Sequence, residues 1–312
     1  MTGLEIARGY FEQYGKPMLD AEFPALWQFI AVGLVGSGSE RYGFDDERSR
    51  DHDFEPGFCI FLPDEDVIDR RTAFRLERAY AKLPAEYGGV RRQKLAPVGG
   101  SRNGVIRTAD FYRRAVGAAD GKLTLHQWLT TPDYALAEAV NGEVFYDGCG
   151  EFSEIRSRLM QMPSDVWKKR LAGNLLLMAQ AGPYNFARCL AHGEPEAAQL
   201  AATEFVNAAL KALFLLNGRY RPYYKWSVRA LRPFDPENAA RLSVLLRGDN
   251  RDGGDANAKQ EAIAGVCAAV IGRLRARGLS EDSSDDLEKH AYRVNDAIED
   301  GEIRNLHILA AV

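Results

Sequence analysis

Residues 29–63 read FIAVGLVGSGSERYGFDDERSRDHDFEPGFCIFLP, and their order of apolar run, glycine turn and acidic pair decides the expected fold. The run 29–35 is apolar on both faces, as a short strand buried inside a sheet must be. It ends at Gly36-Ser37-Gly38-Ser39, where glycines open backbone conformations closed to other residues and let N–H groups approach a ligand. Such a turn leading into a helical segment suits a phosphate, because unpaired N–H groups and the helix dipole both favour negative charge. Ser39 adds a hydroxyl donor.

Eleven residues later comes Asp51-His52-Asp53-Phe54, followed by an apolar stretch at 58–62. This reads as a second strand, with Pro56-Gly57 a bulge or interruption in its middle. Residues two apart in a strand point the same way, so Asp51 and Asp53 face one side together and His52 the other. Two carboxylates so placed repel unless a cation lies between them. Mg²⁺ takes carboxylate and phosphate oxygens, and nucleotidyl transfer needs metal ions to neutralise phosphate charge and align the attacking and leaving oxygens. An EF-hand starting at Asp51 is excluded, because its glycine position is Pro56 and its twelfth position is Leu62.

Gly38-Ser39, eleven residues, then Asp51-His52-Asp53-Phe54 resembles the hG[GS]-x(9–13)-Dh[DE]h signature of the polymerase-β-like nucleotidyltransferase superfamily. Residues 34–63, together with WLTTPDYALAEAVNGEVFYDGCGEFSEIR (128–156) and LLNGRYRPYYKW (215–226), are similar to the bacterial DUF4037 family. That resemblance implies a nucleotidyltransferase-like fold and chemistry but no substrate. The architecture is also similar to aminoglycoside nucleotidyltransferases, with a catalytic domain followed by a helical one. His52 departs from the signature, which has an apolar residue between the carboxylates. The resemblance further implies a third carboxylate on a neighbouring strand. Asp110, just after a short strand at 105–106, is the preferred candidate, and Asp120 and Glu143 are weaker ones. Asp110 equally suits the first turn of a helix, where an acid stabilises the dipole.

Outward from this core, apolar residues at Leu4, Ala7, Tyr10, Phe11 and Tyr14 have helical spacing. The periodicity predicts a basic amphipathic helix over 69–83, a loop over 88–104, helices over 110–116 and 133–140, and strands over 123–128 and 143–146. From 164 onward the patterns are helical, with Ser164 as N-cap of a helix toward Gln180 and Pro195 opening one that runs to Leu216. Further helices are expected over 236–246, 256–277 and 284–298. The expected fold is therefore α+β. A nucleotidyltransferase-like mixed sheet with flanking helices occupies 1–162, and an all-helical domain closing the nucleotide cleft occupies 163–312.

The 195–216 helix is apolar nearly all round and so reads as buried. Glu204, Asn207 and Lys211 form a polar stripe along it, either facing the cleft with Lys211 on nucleotide phosphates or forming a solvated or internally paired face. The segment 220–226, YRPYYKW, mixes aromatic faces with cations. It either stacks a base and holds phosphates through Tyr223 and Lys225 or packs between helices. Arg70, Arg71, Arg75 and Arg78 read as a solvated face.

Composition narrows the partners. The chain of 312 residues has a formal net charge of −4, which gives no electrostatic reason to coat long nucleic acid. Its four cysteines include no CxxC pair, so neither a structural zinc site nor a disulfide scaffold is expected. With neither a signal pattern nor an uninterrupted apolar run of spanning length, a cytoplasmic protein without membrane attachment is expected.

The expected activity is transfer of a nucleoside monophosphate, AMP from ATP or another nucleoside triphosphate, to a hydroxyl of a small-molecule, RNA or protein acceptor. Gly38 and Ser39 would hold phosphates, Asp51 and Asp53 two Mg²⁺ ions, and Asp110 the third catalytic position. Lys211, Tyr223 and Lys225 would contact the nucleotide. The competing expectations are a non-catalytic nucleotide-binding regulatory or antitoxin-like module, and a phosphohydrolase using the same metals.

Overall fold

A computed structural model describes residues 1–47, 54–92 and 102–312. Asp51, His52 and Asp53 lie outside the described residues. The chain is a mixed α+β protein that divides into two units. One comprises Met1–Thr124 with Ala135–Gln161, the other Leu125–Tyr134 with Met162–Val312.

The strands all belong to the first unit. In chain order they are β1 (Ala31–Leu34), β2 (Cys59–Leu62), β3 (Glu86–Tyr87), β4 (Val90–Arg91), β5 (Gly104–Arg107) and β6 (Glu143–Asp147). Four of them form a sheet in the order β5-β2-β1-β6, and β3 pairs with β4 apart from it. β1 runs antiparallel to both β2 and β6, and β2 parallel to β5. All residues of β1 and β2 are buried, as the two-faced apolar runs demand. Against β2, Val32 faces Ile60. Against β6, Val32 faces Tyr146 but Gly33 faces Val144. Phe145 is therefore an unmatched extra residue, a β-bulge. The bulge explains why two consecutive side chains serve one aromatic cluster: Phe145 stacks on Phe11 at 5.9 Å and Tyr146 meets Trp27 at 4.6 Å. Strict alternation would send them to opposite faces.

Several expectations are corrected here. β2 is confined to Cys59–Leu62, and Phe54 is buried outside it. Residues 88–91 are not all loop. β3 and β4 form a hairpin across Gly88-Gly89, both at positive φ (60° and 78°), the geometry a two-residue turn requires. The expected strand over 123–128 is a helix, Leu125–Thr130. It buries Trp128 and Leu129, consecutive residues that strict strand alternation would send to opposite faces, while Leu125 is exposed. The first helix starts at Gly3, capped by the Thr2–Glu5 capping box, and passes through a π-helical stretch at Phe11–Gly15 into Lys16–Glu22. Helices at Glu151–Leu159, Tyr224–Leu231 and Gly301–Asn305 add to those the periodicity predicts.

In the second unit, Ser164 is the first residue of the helix Ser164–Ala179 rather than its cap, a position taken by Pro163. The helix Pro195–Leu216 runs as its spacing predicts. By length and composition it is apolar enough to cross a membrane, yet it is mostly buried inside the protein. Its Phe205, Ala209 and Leu213 join Leu171, Leu175, Leu242, Val266 and Val270 in one apolar core.

Candidate functional site

The turn after β1 is held from both sides. Gly36 (φ 101°) donates its N–H to Asn141 Oδ1 at 2.8 Å and accepts from Asn141 Nδ2 at 2.7 Å. Gly38 has φ 136°, and a Cβ there would drive into the Glu40 carboxylate. The two positive φ values favour glycine at both positions. Ser39 opens a short 3₁₀ helix, Ser39–Tyr42. Among the described residues the backbone N–H groups of Ser37, Gly38 and Ser39 donate to no protein acceptor, and Gly38 is buried. Three successive donors without a protein acceptor, the first of them exposed, are the kind of group an anion can engage.

Arg41 anchors the far end of this turn. Its guanidinium is buried, with Nε donating to Val35 O at 2.8 Å and Nη2 to Asn103 Oδ1 at 2.9 Å and Arg102 O at 3.1 Å, while Nη1 pairs with Glu40. Its donors are thus spent on the chain, tying the turn to the segment that leads into β5. Burial pushes the neighbouring Cys59 thiol up, with Arg41 opposing.

A half-buried carboxylate that no sequence motif marks lies against the same turn. Glu138, on the helix Asp133–Val140, has its pKa raised by burial, while the charges of Arg41 and Arg102 and a hydrogen bond with Ser37 pull it down. Of the expected third carboxylates, Asp110 is exposed in the first turn of the helix Thr108–Val116 and pairs with Arg113 at 2.6 Å. Asp120 accepts from the Lys122 backbone N–H at 3.1 Å in an exposed loop. Glu143 sits on β6 opposite Leu34 and pairs with Arg8. β5, parallel to β2, reads Gly-Val-Ile-Arg and carries no carboxylate. Among the described residues no three metal-ligating side chains cluster.

The second unit carries a cavity of about 480 Å³. Asp133, Arg170, Lys211, Arg221 and Tyr223 all line it. Arg170 is buried and pairs with Asp133 at 2.8 Å. Arg221, also buried, donates from Nε to Ser227 Oγ at 2.8 Å, from Nη2 to Asn207 Oδ1 at 3.1 Å and from Nη1 to Asn207 O at a long 3.4 Å, all neutral partners that leave its charge unmatched. Among the described residues no carboxylate lies within ion-pair distance of Arg221, and the Lys211 ammonium has no hydrogen-bond or ion-pair partner. Burial holds the Lys211 pKa below the usual lysine value. Asp133 opposes this, Arg221 and Arg170 add to it, and Glu204 opposes it more weakly. Lys225, expected beside Tyr223, lies over the Trp226 ring at 4.5 Å and does not line the cavity. Arg70, Arg71, Arg75 and Arg78 are largely exposed, as a solvated face should be.

Residues 128–227 match the family described as a domain of unknown function (DUF4037). No curated protein matches the chain. The matched stretch covers every residue lining the cavity except the last three, Ala310, Ala311 and Val312. The turn at 36–39 and the Asp51/Asp53 pair fall outside it.

Proposed function

We propose that the protein is a Mg²⁺-dependent nucleotidyltransferase that moves a nucleoside monophosphate, AMP from ATP, onto a hydroxyl of an acceptor. The observation that carries this reading is the turn after β1, where the buried Gly38, the exposed Ser37 and the half-buried Ser39 leave three consecutive N–H groups without a protein acceptor. A buried N–H such as that of Gly38 costs free energy without a partner, and a phosphate supplies one that the two neighbouring donors can share. Asp51 and Asp53 follow in sequence at the spacing of the superfamily signature. Their oxygens fit Mg²⁺ in kind, and the metal would neutralise charge on the transferred phosphoryl group. In this reading Gly38 and Ser39 bind phosphate and Asp51 and Asp53 hold the metal. For the third acid, the pairing of Asp110 with Arg113 makes Glu138, beside the turn, the better candidate.

The test is pyrophosphate release from ATP and Mg²⁺ across a panel of sugar, RNA-end and protein hydroxyl acceptors. Release that disappears in Asp51→Asn/Asp53→Asn, with the fold intact by circular dichroism, supports the enzyme. A second reading, a nucleotide-binding module without turnover, is favoured by the lack of a carboxylate on β5. ATP binding with no pyrophosphate release, unchanged in the double variant, would establish that reading instead.

A further inference from the structure

Among the side chains lining the cavity of the second unit, three are cationic and one is a carboxylate. Arg170 is matched by Asp133 at 2.8 Å. Lys211 and Arg221 are matched by no carboxylate within ion-pair distance among the described residues. Lys211 is half-buried and Arg221 buried; a cation held out of water without a counter-charge is unfavourable, and an anion bound in the cavity relieves that. Two unmatched cations call for two negative charges, which a phosphate monoester carries near neutral pH and a single carboxylate does not.

Three tyrosines share the rest of the wall with smaller apolar and polar residues. Tyr134 meets Tyr223 edge-on at 5.7 Å, and Tyr223 lies 4.6 Å from Tyr224. All three line the same cavity as Lys211 and Arg221. At about 480 Å³ the space falls within the ordinary range for small-molecule sites and has room for a sugar or base beside the phosphate. Tyrosine rings present faces on which either can pack.

We propose that this cavity binds a phosphate ester, with Lys211 and Arg221 taking the phosphate and the tyrosines taking the sugar or ring attached to it. The site is built entirely from residues of the second unit, so it does not rest on the nucleotidyltransferase reading. The ester comes either from a nucleotide or from a phosphorylated non-nucleotide, and the two share the chemistry the cavity recognises.

The experiment is calorimetric titration of the full chain, with EDTA present, using AMP, glucose 6-phosphate and inorganic phosphate. It is run in the native chain and in Asp51→Asn/Asp53→Asn, so that loss of the metal site cannot be confused with loss of this one. At least one ester should bind more tightly than inorganic phosphate in both backgrounds, and which one binds identifies the source. Lys211→Met should weaken that binding by about tenfold or more, as loss of one charge-assisted contact does. Lys225→Met, outside the cavity, should leave it unchanged. Lys211→Met removes a partly buried charge, so its melting temperature should hold or rise, which separates lost binding from lost folding. Absence of binding by every ester, or equal binding by Lys211→Met, overturns the proposal. So does ester binding no tighter than that of inorganic phosphate.

Discussion

Asn141 grips Gly36 with both ends of its side-chain amide, accepting at 2.8 Å and donating at 2.7 Å across 105 residues of sequence. One side chain thereby replaces the two ladder partners that the backbone loses where β1 ends. Removing it should loosen the turn more than the sheet. We expect Asn141→Ala to cost about 1–3 kcal/mol, the penalty for stranding buried backbone groups. Hydrogen exchange should rise at 36–39 and stay low in β2. Asn141→Asp keeps an acceptor but not the donor, and should fall between.

Gly38→Ala should be costly because φ is 136°, a region side chains rarely adopt; the Glu40 carboxylate that meets the methyl can swing aside. A destabilisation of about 1–3 kcal/mol is expected. Gly43→Ala, at φ 66° with nothing within 4 Å, meets only the milder left-handed penalty and should cost less. Thermal melts rank the two. In the proposed nucleotidyltransferase reading, pyrophosphate release falls in Gly38→Ala even well below its melting temperature.

Glu138 gives a signed pH effect. Its folded-state pKa is raised, mainly by burial, so the fold prefers the neutral form. The associated stability is present below the ordinary carboxyl value of 4.5 and is lost as pH rises through the folded value. Glu138→Gln should therefore melt above the native chain at pH 7, with the difference closing at pH below 4.5. A Gln variant that melts lower at pH 7 would mean that the Arg41 and Arg102 charges outweigh burial.

Asp133 is expected to act oppositely on stability and on ligand binding. Asp133→Asn leaves the buried Arg170 without its counter-charge and should cost about 3–5 kcal/mol in denaturant unfolding. The same change makes the cavity more positive. Any phosphate ester that binds there should therefore bind more tightly at protein concentrations and temperatures where the variant stays folded.

Three of the four thiols should separate under alkylation, with the half-buried Cys189 between the extremes. Cys149 is exposed, whereas burial pushes Cys267 up to about 12 and raises Cys59. Because the thiolate is the reactive species, iodoacetamide at pH 8 should label Cys149 first. Cys59 and Cys267 should react only on unfolding, which peptide mapping would resolve.

The elements legible in the sequence are those whose partners lie on both faces or along one stripe. β1 is apolar all round and the Pro195–Leu216 helix nearly so, and the amphipathic helix read over 69–83 is observed as Arg70–Ala81, with Asp69 as its N-cap, accepting from Thr72 N–H at 2.7 Å. Leu125–Thr130 reads as a strand because six residues hold fewer than two helical turns, too few for a period to declare itself. Glu138 carries no signal in sequence because it occupies an ordinary polar position on its helix. Only the approach of Ser37, about a hundred residues away, gives it a role. In the second unit, Lys211 and Tyr223 stand out by type and spacing. Arg170 belongs to no motif, although a cation inside the run VWKKRLAGNLLL is itself the signal of a buried pair.

The bulge at Phe145 makes the length of β1 a matter of parity. Against β2 the strand counts residue for residue; against β6 it counts one residue short. Deleting or adding a single residue in β1 could suit only one of these neighbours and would turn every later side chain over against the other. The point at which the chain leaves the sheet for Gly36 is therefore indexed by both flanking strands together. Changes of loop length should be tolerated around the hairpin turn at Gly88-Gly89 but not within Ala31–Leu34, where the position of the turn would shift with the count.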